Sequence, residues 1–248
     1  MNLYGHIGGT NGRGNLRYRF LGLVLVFLFM FSVRGLVERL RLFERNKVPL
    51  GLKVLGLALH FQTSSLRRTA KVLSEFCSVS KTAVWKWVVK LRERLVISLE
   101  RKPRCFIAAD ETCVKVNGMQ YWVYSALDID RNELLHMRAY PARNSLTSES
   151  FLKGVLKHCE GRPEFVVDGA PWLKEALTEL GLAYQHQARG PRSLVESAFS
   201  SFKQRTKIFF NKITVNLKHN AHLRWRRAVK CWNLFCQTFT YYYNHLRR

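Results

Sequence analysis

The sequence predicts an α/β domain with a mixed sheet, in the order β-β-β-α-β-α-β-α, preceded by an all-α segment. Three observations carry this expectation. Apolar residues fall at helical spacing up to about residue 95, and short strand-like runs bounded by turn signals take over after "ERKPRC", residues 100–105. Beyond that point strand-like runs alternate with amphipathic helices, the pattern of a sheet with helices packed on it. A chain of 248 residues, 47% hydrophobic and 12% aromatic, has enough apolar material to bury a core.

The elements follow in order. "GHIGGTNGRGN" reads as part of a flexible tail over residues 1–19. "FLGLVLVFLFMFSV", residues 20–33, is 14 residues of continuous apolar sequence, short of the roughly 20 that cross a bilayer. No small-residue cleavage site follows it. It is expected to be a buried or subunit-contact helix, with a membrane anchor as the alternative. Residues 34–46 read as a charged amphipathic helix, punctuated by Pro49 and Gly51, and 52–60 as a short apolar helix.

Residues 63–95 carry two helices. Ser64 or Ser65 caps the first, which reaches about Phe76, and Ser80 caps the second after the break at "CSVS". In the second helix Val84, Val88, Leu91 and Leu95 share one face, while Lys81, Trp85, Lys86, Lys90, Arg92 and Arg94 lie largely off it. An apolar back and a basic front after a tight turn is a helix-turn-helix pattern, although any helical hairpin can present the same spacing.

After residue 105 an apolar extended stretch runs to 109. Strands over 112–116 and 120–127 flank Asn117–Gly118, a strong hairpin signal. Residues 134–140 give a further strand, and a helix capped by Thr147 or Ser148 runs to about His158. "EFVV", residues 164–167, is a short buried strand, followed by a helix with Pro171 in its first turn. A last strand over 182–186 precedes a long helix from Ser193, with Glu196 in its first turn. The chain thus divides into the tail, apolar then charged helices over 20–48, a helix-turn-helix unit over 49–99, an α/β domain over 105–210 and a basic, aromatic helical segment over 211–248.

The formal net charge is +24, and it is distributed unevenly. Residues 1–104 carry 20 basic and 5 acidic side chains, residues 105–196 carry 10 and 12, and residues 197–248 carry 11 and none. Basic flanks interleaved with Trp, Tyr and Phe are the footprint of a polyanion partner, nucleic acid first and an anionic membrane second. Cys77, Cys105, Cys113, Cys159, Cys231 and Cys236 show no paired spacing and read as reduced, mostly buried thiols. His219, His222, Cys231 and Cys236 fit no usual zinc spacing.

Within the near-neutral middle, acids stand at element ends. Asp110 follows the first strand, Asp168 follows the fourth, and Glu196 opens the helix after the fifth. If the first and fourth strands are neighbours, three carboxylates meet at one sheet edge. Such a cluster repels itself unless a cation neutralises it, and an all-oxygen donor set suits Mg²⁺. Taken singly, each acid is better explained by a turn or a cap, and the signal lies in all three standing at element ends in this order. Glu111 alternates to the opposite side of the strand from Asp110 and is expected to bond a basic neighbour. Asp128, Asp130 and Glu133, in "DIDRNE", read as turn formers.

"AADETCVKVNGMQYWVYSALDID", "FVVDGAPW" and "RSLVESAFSSFKQRTK" resemble the three blocks of DDE transposases of prokaryotic insertion sequences, nearest to the insertion-sequence-six type in its archaeal branch. That family shares the ribonuclease-H-like fold of retroviral integrases, and the resemblance covers about residues 50–215. It implies that Asp110, Asp168 and Glu196 form a catalytic, metal-binding triad for two Mg²⁺ ions, with Mn²⁺ as a substitute. It implies that Lys203, seven residues after Glu196 and so on its helix face, contacts DNA near the cut, with Arg205 beside it. Trp172 and His186 match positions near such sites, and Lys81, Lys86 and Lys90 fall on the DNA-facing helix. The implied activity is binding of terminal inverted repeats, nicking at 3′ ends and joining to target DNA. The implied setting is a homodimer or larger assembly on the nucleoid, in the cytoplasm and off the membrane. A sequence-nonspecific nuclease of the same fold, or an inert DNA-binding relic, are the alternatives. The 27 residues between Asp168 and Glu196 make a shorter connection than the family usually has.

Overall fold

A computed structural model of the chain describes residues 30, 32–43, 48–63, 65–95, 99–116, 119–186, 192–206 and 221–246. The expected flexible tail, nearly all of the apolar run 20–33, the Asn117–Gly118 turn and His219 lie outside the described residues.

A helical stretch over 32–39 is followed by α1 (Leu50–Thr63), α2 (Leu66–Leu73) and α3 (Lys81–Arg94). The serine caps are where the sequence predicts them. Ser65 Oγ accepts from the Arg68 amide at 3.4 Å and Ser80 Oγ from the Ala83 amide at 3.1 Å. The apolar stripe of α3 is buried at Val84, Val88 and Leu91, and Trp87 joins it. α2 is shorter than expected. The amides of Glu75 and Phe76 bond back to Val72 and Leu73, a three-residue spacing that tightens the chain and turns Phe76 outward.

The strands are β1 (Lys102–Pro103), β2 (Phe106–Val116), β3 (Met119–Asp128), β4 (Glu133–Tyr140), β5 (Cys159–Glu160), β6 (Glu164–Val167) and β7 (Tyr184–His186). β1 and β5 form a separate parallel pair, so "ERKPRC" is more than a linker. The main sheet has the order β4-β3-β2-β6-β7, antiparallel from β4 to β2 and parallel from β2 to β7. The first and fourth strands of this sheet, β2 and β6, are therefore neighbours, as the acid pattern requires. Asp110 does not follow a strand, however. It lies inside β2, opposite Ser125 of β3, because antiparallel pairing continues to Val116↔Met119. What ends before Asp110 is the parallel pairing to β6, last seen at Ala108↔Val166.

Helices cover both faces. α4 (Ser145–Leu156) and α5 (Pro171–Glu179) bury Phe151, Leu152, Leu173 and Leu177 with Ile107, Ala109 and Tyr124. Asn144, rather than Thr147 or Ser148, caps α4, and Thr147 returns the bond as the other half of a capping box. On the other face α6 (Arg192–Thr206) and α7 (Ala221–Tyr241) bury Val195, Phe202, Trp232 and Phe239 in one core with Ala108, Val114 and the N-terminal helices. A π-helix over Tyr242–Leu246 continues α7. This segment also seals the open edge of β4. Asn233 Oδ1 accepts from the Ala139 amide and Asn244 Oδ1 from the Leu134 amide, both at 2.8 Å, which blunts an edge that would otherwise pair with another strand.

Asp128 and Glu133 prove to be more than turn formers. Arg104 and Asp128 side chains are both 0% exposed and form an ion pair, and Arg104 Nη1 lies 2.9 Å from Glu133 as well. All six cysteines are free thiols; Cys159 and Cys236 are buried and Cys105 is exposed. No described helix is long and apolar enough to cross a membrane.

On β4, His136 stacks on Phe151 of α4 at 5.5 Å, with Gly154 so close that a Cβ there would meet His136 Nε2 at 2.7 Å. Burial, and then His158, Arg138 and Lys157, push its pKa down to about 4. An unfolded histidine titrates near 6.5, so between those values the unfolded chain binds more protons and stability rises with pH. The contribution is complete above about pH 6.5 and is lost as pH falls toward 4. At pH 5.5 the loss is about 1.4 kcal/mol. Urea unfolding at pH 7.5 and 5.5 checks this: His136→Gln should show a smaller drop between the two than the wild-type chain.

Candidate active site

The parallel register sets the site. Ala108 pairs with Val166 and Val167 with His186, so two residues beyond the Ala108–Val166 pair Asp110 and Asp168 stand side by side, where β6 and β7 end and β2 runs on. Asp110 is 8% exposed, and its Oδ1 accepts from the Glu111 amide at 2.8 Å. Asp168 is partly buried, and its Oδ1 accepts from the Ala170 amide at 3.0 Å, which ties it to the start of α5. His186 adjoins them: its Nε2 lies 3.4 Å from where a Gly169 Cβ would be.

α6 forms the facing wall. Val195, Ala198 and Phe202 are buried against the sheet, which leaves Glu196, Ser200 and Lys203 on the open side at three- and four-residue spacing. A groove of about 870 Å³ runs between β2 and α6, lined by Asp110, Thr112, Lys115, Glu196, Ser200 and Lys203 among others. α6 begins at Arg192, so Glu196 sits just past its first turn rather than within it. Among the described residues no three His, Cys, Asp or Glu side chains are close enough together to hold a metal ion. The structure thus brings Asp110 beside Asp168 and puts Glu196 across the groove from Asp110 without closing the three on one point. The carboxylates of Asp110 and Glu196 in the groove lining, which also includes Cys113, are the donor chemistry that suits a hard divalent cation.

Glu111 faces the other side of the sheet, as strand alternation predicts, toward α4 and α5. Its Oε1 accepts from the Trp172 indole N–H at 3.0 Å and lies 3.6 Å from Arg143 Nη1. Burial, followed by the charges of Asp110 and Asp168, raises its carboxyl pKa to about 7. Trp172 therefore buttresses Glu111. Lys81, Lys86 and Lys90 are exposed on α3, outside the groove, and Lys86 and Lys90 rim a separate hollow of about 410 Å³. Arg205 is committed internally: it donates to the Phe61 carbonyl at 2.7 Å and to the Tyr242 hydroxyl, and its guanidinium stacks on the Tyr242 ring. Sequence analysis missed Arg143, which lies over Trp172 and near Glu111, and Trp122, which packs on Arg143. Their spacing along the chain carries no signal, because the end of β4, the middle of β3 and the start of α5 meet only in the fold.

The family described as "DDE domain" matches residues 106–223. An uncharacterized protein of Methanocaldococcus jannaschii is 36% identical over 193 residues, 78% of this chain and 89% of that one. An uncharacterized protein of Aquifex aeolicus is 38% identical over 57 residues, 23% of this chain and 47% of that one. Among solved structures, the simian T-cell lymphotropic virus intasome in complex with a PP2A regulatory subunit is similar at 17% identity and TM-score 0.42, covering 77% of this chain and 69% of that one. The HTLV-2 integrase catalytic core in complex with magnesium is similar at 15% identity and TM-score 0.37, covering 52% and 85%. The DDE domain points to a nucleotidyl-transferase or nuclease. The chain carries a DDE domain over residues 106–223 and belongs to the same family as the Methanocaldococcus jannaschii protein.

Proposed function

We propose that the chain binds the terminal inverted repeats of a mobile element, nicks their 3′ ends and joins them to target DNA by transesterification. The observation that carries this reading is the groove in which Asp110 on β2 faces Glu196 and Lys203 on α6. Asp110 and Asp168 supply adjacent carboxylate oxygens, and Glu196 supplies the third from a helix that can approach as DNA enters. Magnesium ions, when bound, activate water or a 3′-hydroxyl and stabilise the leaving oxygen of an in-line displacement at phosphorus. Lys203 holds a backbone phosphate along the groove, and Lys81, Lys86 and Lys90 present the basic face of α3 to the duplex, in the manner of a recognition helix. His186 borders the same phosphates beside Asp168. A homodimer or larger assembly fits a reaction that joins two ends.

The test uses duplexes taken from the DNA bordering the gene. Magnesium-dependent nicking at the 3′ ends of an inverted repeat, followed by joining to a second duplex, is the expected result. Cleavage indifferent to sequence would make the protein a general nuclease. Binding without reaction would make it an inert relic. Lys203→Ala should reduce the slope of log affinity against log salt by about 1, the signature of one lost phosphate contact; a filter-binding series in rising salt reads it.

A further inference from the structure

The guanidinium of Arg143 lies between two indoles, 3.8 Å from the Trp122 ring centroid and 3.9 Å from that of Trp172. Both flat faces are covered, so only its edge N–H groups can meet a ligand, in the planar fork that suits a phosphate. Arg143 stands between the end of β4 and the start of α4. Behind it the Glu111 side chain is 5% exposed, with Oε1 on the Trp172 indole and Oε2 buried without a hydrogen-bond partner among the described residues. A structural ion pair between such groups would close to under about 3 Å. The gap is instead 3.6 Å, and 34% of the Arg143 side chain stays exposed. The fork is oriented by its neighbours but not saturated by them.

We infer that Arg143 is a DNA-binding residue whose exposed edge takes a backbone phosphate close to the one attacked at Asp110 and Asp168. The inference rests on the proposed function for the presence of DNA at the groove. Trp122 and Trp172 hold the guanidinium flat, and Glu111 sets its in-plane rotation. The phosphate replaces Glu111 as the principal partner of the fork. Lys203 lies on the α6 side of the sheet and Arg143 on the α4 and α5 side, so the strand is gripped from both sides of the acidic pair.

Binding to duplexes from the gene borders, each with one neutral methylphosphonate linkage, tests the contact in the full chain. One linkage near the cut should weaken wild-type binding about tenfold, the scale of a lost charged hydrogen bond. Arg143→Gln should bind the unmodified duplex about tenfold more weakly and be indifferent to that same linkage, while keeping its response at other linkages. Arg143→Lys, which keeps the charge without the fork, should show the same selective indifference and stands in if the glutamine variant melts early. Equal responses of wild-type and variant chains at every linkage would overturn the inference. Binding reads this coupling whether or not the DNA is cut, so a chain that couples Arg143 to a phosphate but joins nothing would sink the transposase reading alone.

Discussion

Asp168→Asn is expected to lower strand joining by about a thousandfold while leaving duplex binding nearly unchanged. The residue is one of the two neighbouring carboxylates at the end of the β2–β6 pairing. Asparagine keeps its shape and can still accept from the Ala170 amide, so α5 should keep its place. What it removes is a charge on which, in the proposed reaction, cation binding depends. Metal stabilisation of a phosphoryl transition state is worth several kcal/mol, and each ~1.4 kcal/mol is a factor of ten in rate. Initial rates with border duplexes in magnesium, beside affinities measured in its absence, check the split. A variant that joined ends at the wild-type rate would remove Asp168 from the chemistry.

Asp128→Ala should have the largest effect on stability, a loss of roughly 3–5 kcal/mol. Its carboxylate and the Arg104 guanidinium are both 0% exposed, and truncation strands Arg104 in the interior with only Glu133 as acidic partner. For a domain of this size that corresponds to a melting temperature lower by about 10 °C. Arg104→Met combined with Asp128→Leu removes both charges and should recover most of the loss, because an apolar pair of similar volume avoids the desolvation cost. Thermal melts of the single and double variants decide it; a single variant as stable as the parent would mean that the pair contributes nothing.

The two acids illustrate how much of this molecule is legible in its sequence. Asp168 follows a short strand that ends in three apolar residues, Phe165 to Val167, and precedes a helix opened by Pro171, a local pattern that chain order alone reveals. Asp128 has an equally local setting in "DIDRNE", and that setting misleads. Its partner Arg104 is 24 residues away, and nothing in the spacing marks the two as a buried pair. The same holds at the site. Seven-residue spacing puts Glu196 and Lys203 on one face of α6, and the groove lining bears that out. Arg205, two residues on, looks equally free in sequence, yet it is absorbed by Phe61 and Tyr242 from opposite ends of the chain.

The sequence by itself determined the alternation of strands and helices, the serine caps of α2 and α3, the division of Asp110 and Glu111 between two sheet faces, and the basic flanks. These follow from backbone periodicity and side-chain chemistry acting over a few residues. Only the tertiary structure decided that β2 runs unbroken through Asp110, that Asn233 and Asn244 close the β4 edge, and that Trp122, Arg143, Trp172 and Glu111 meet. Each of these depends on which strand lies beside which, a choice made by burying two helical layers against one sheet, and no short window of sequence contains both partners.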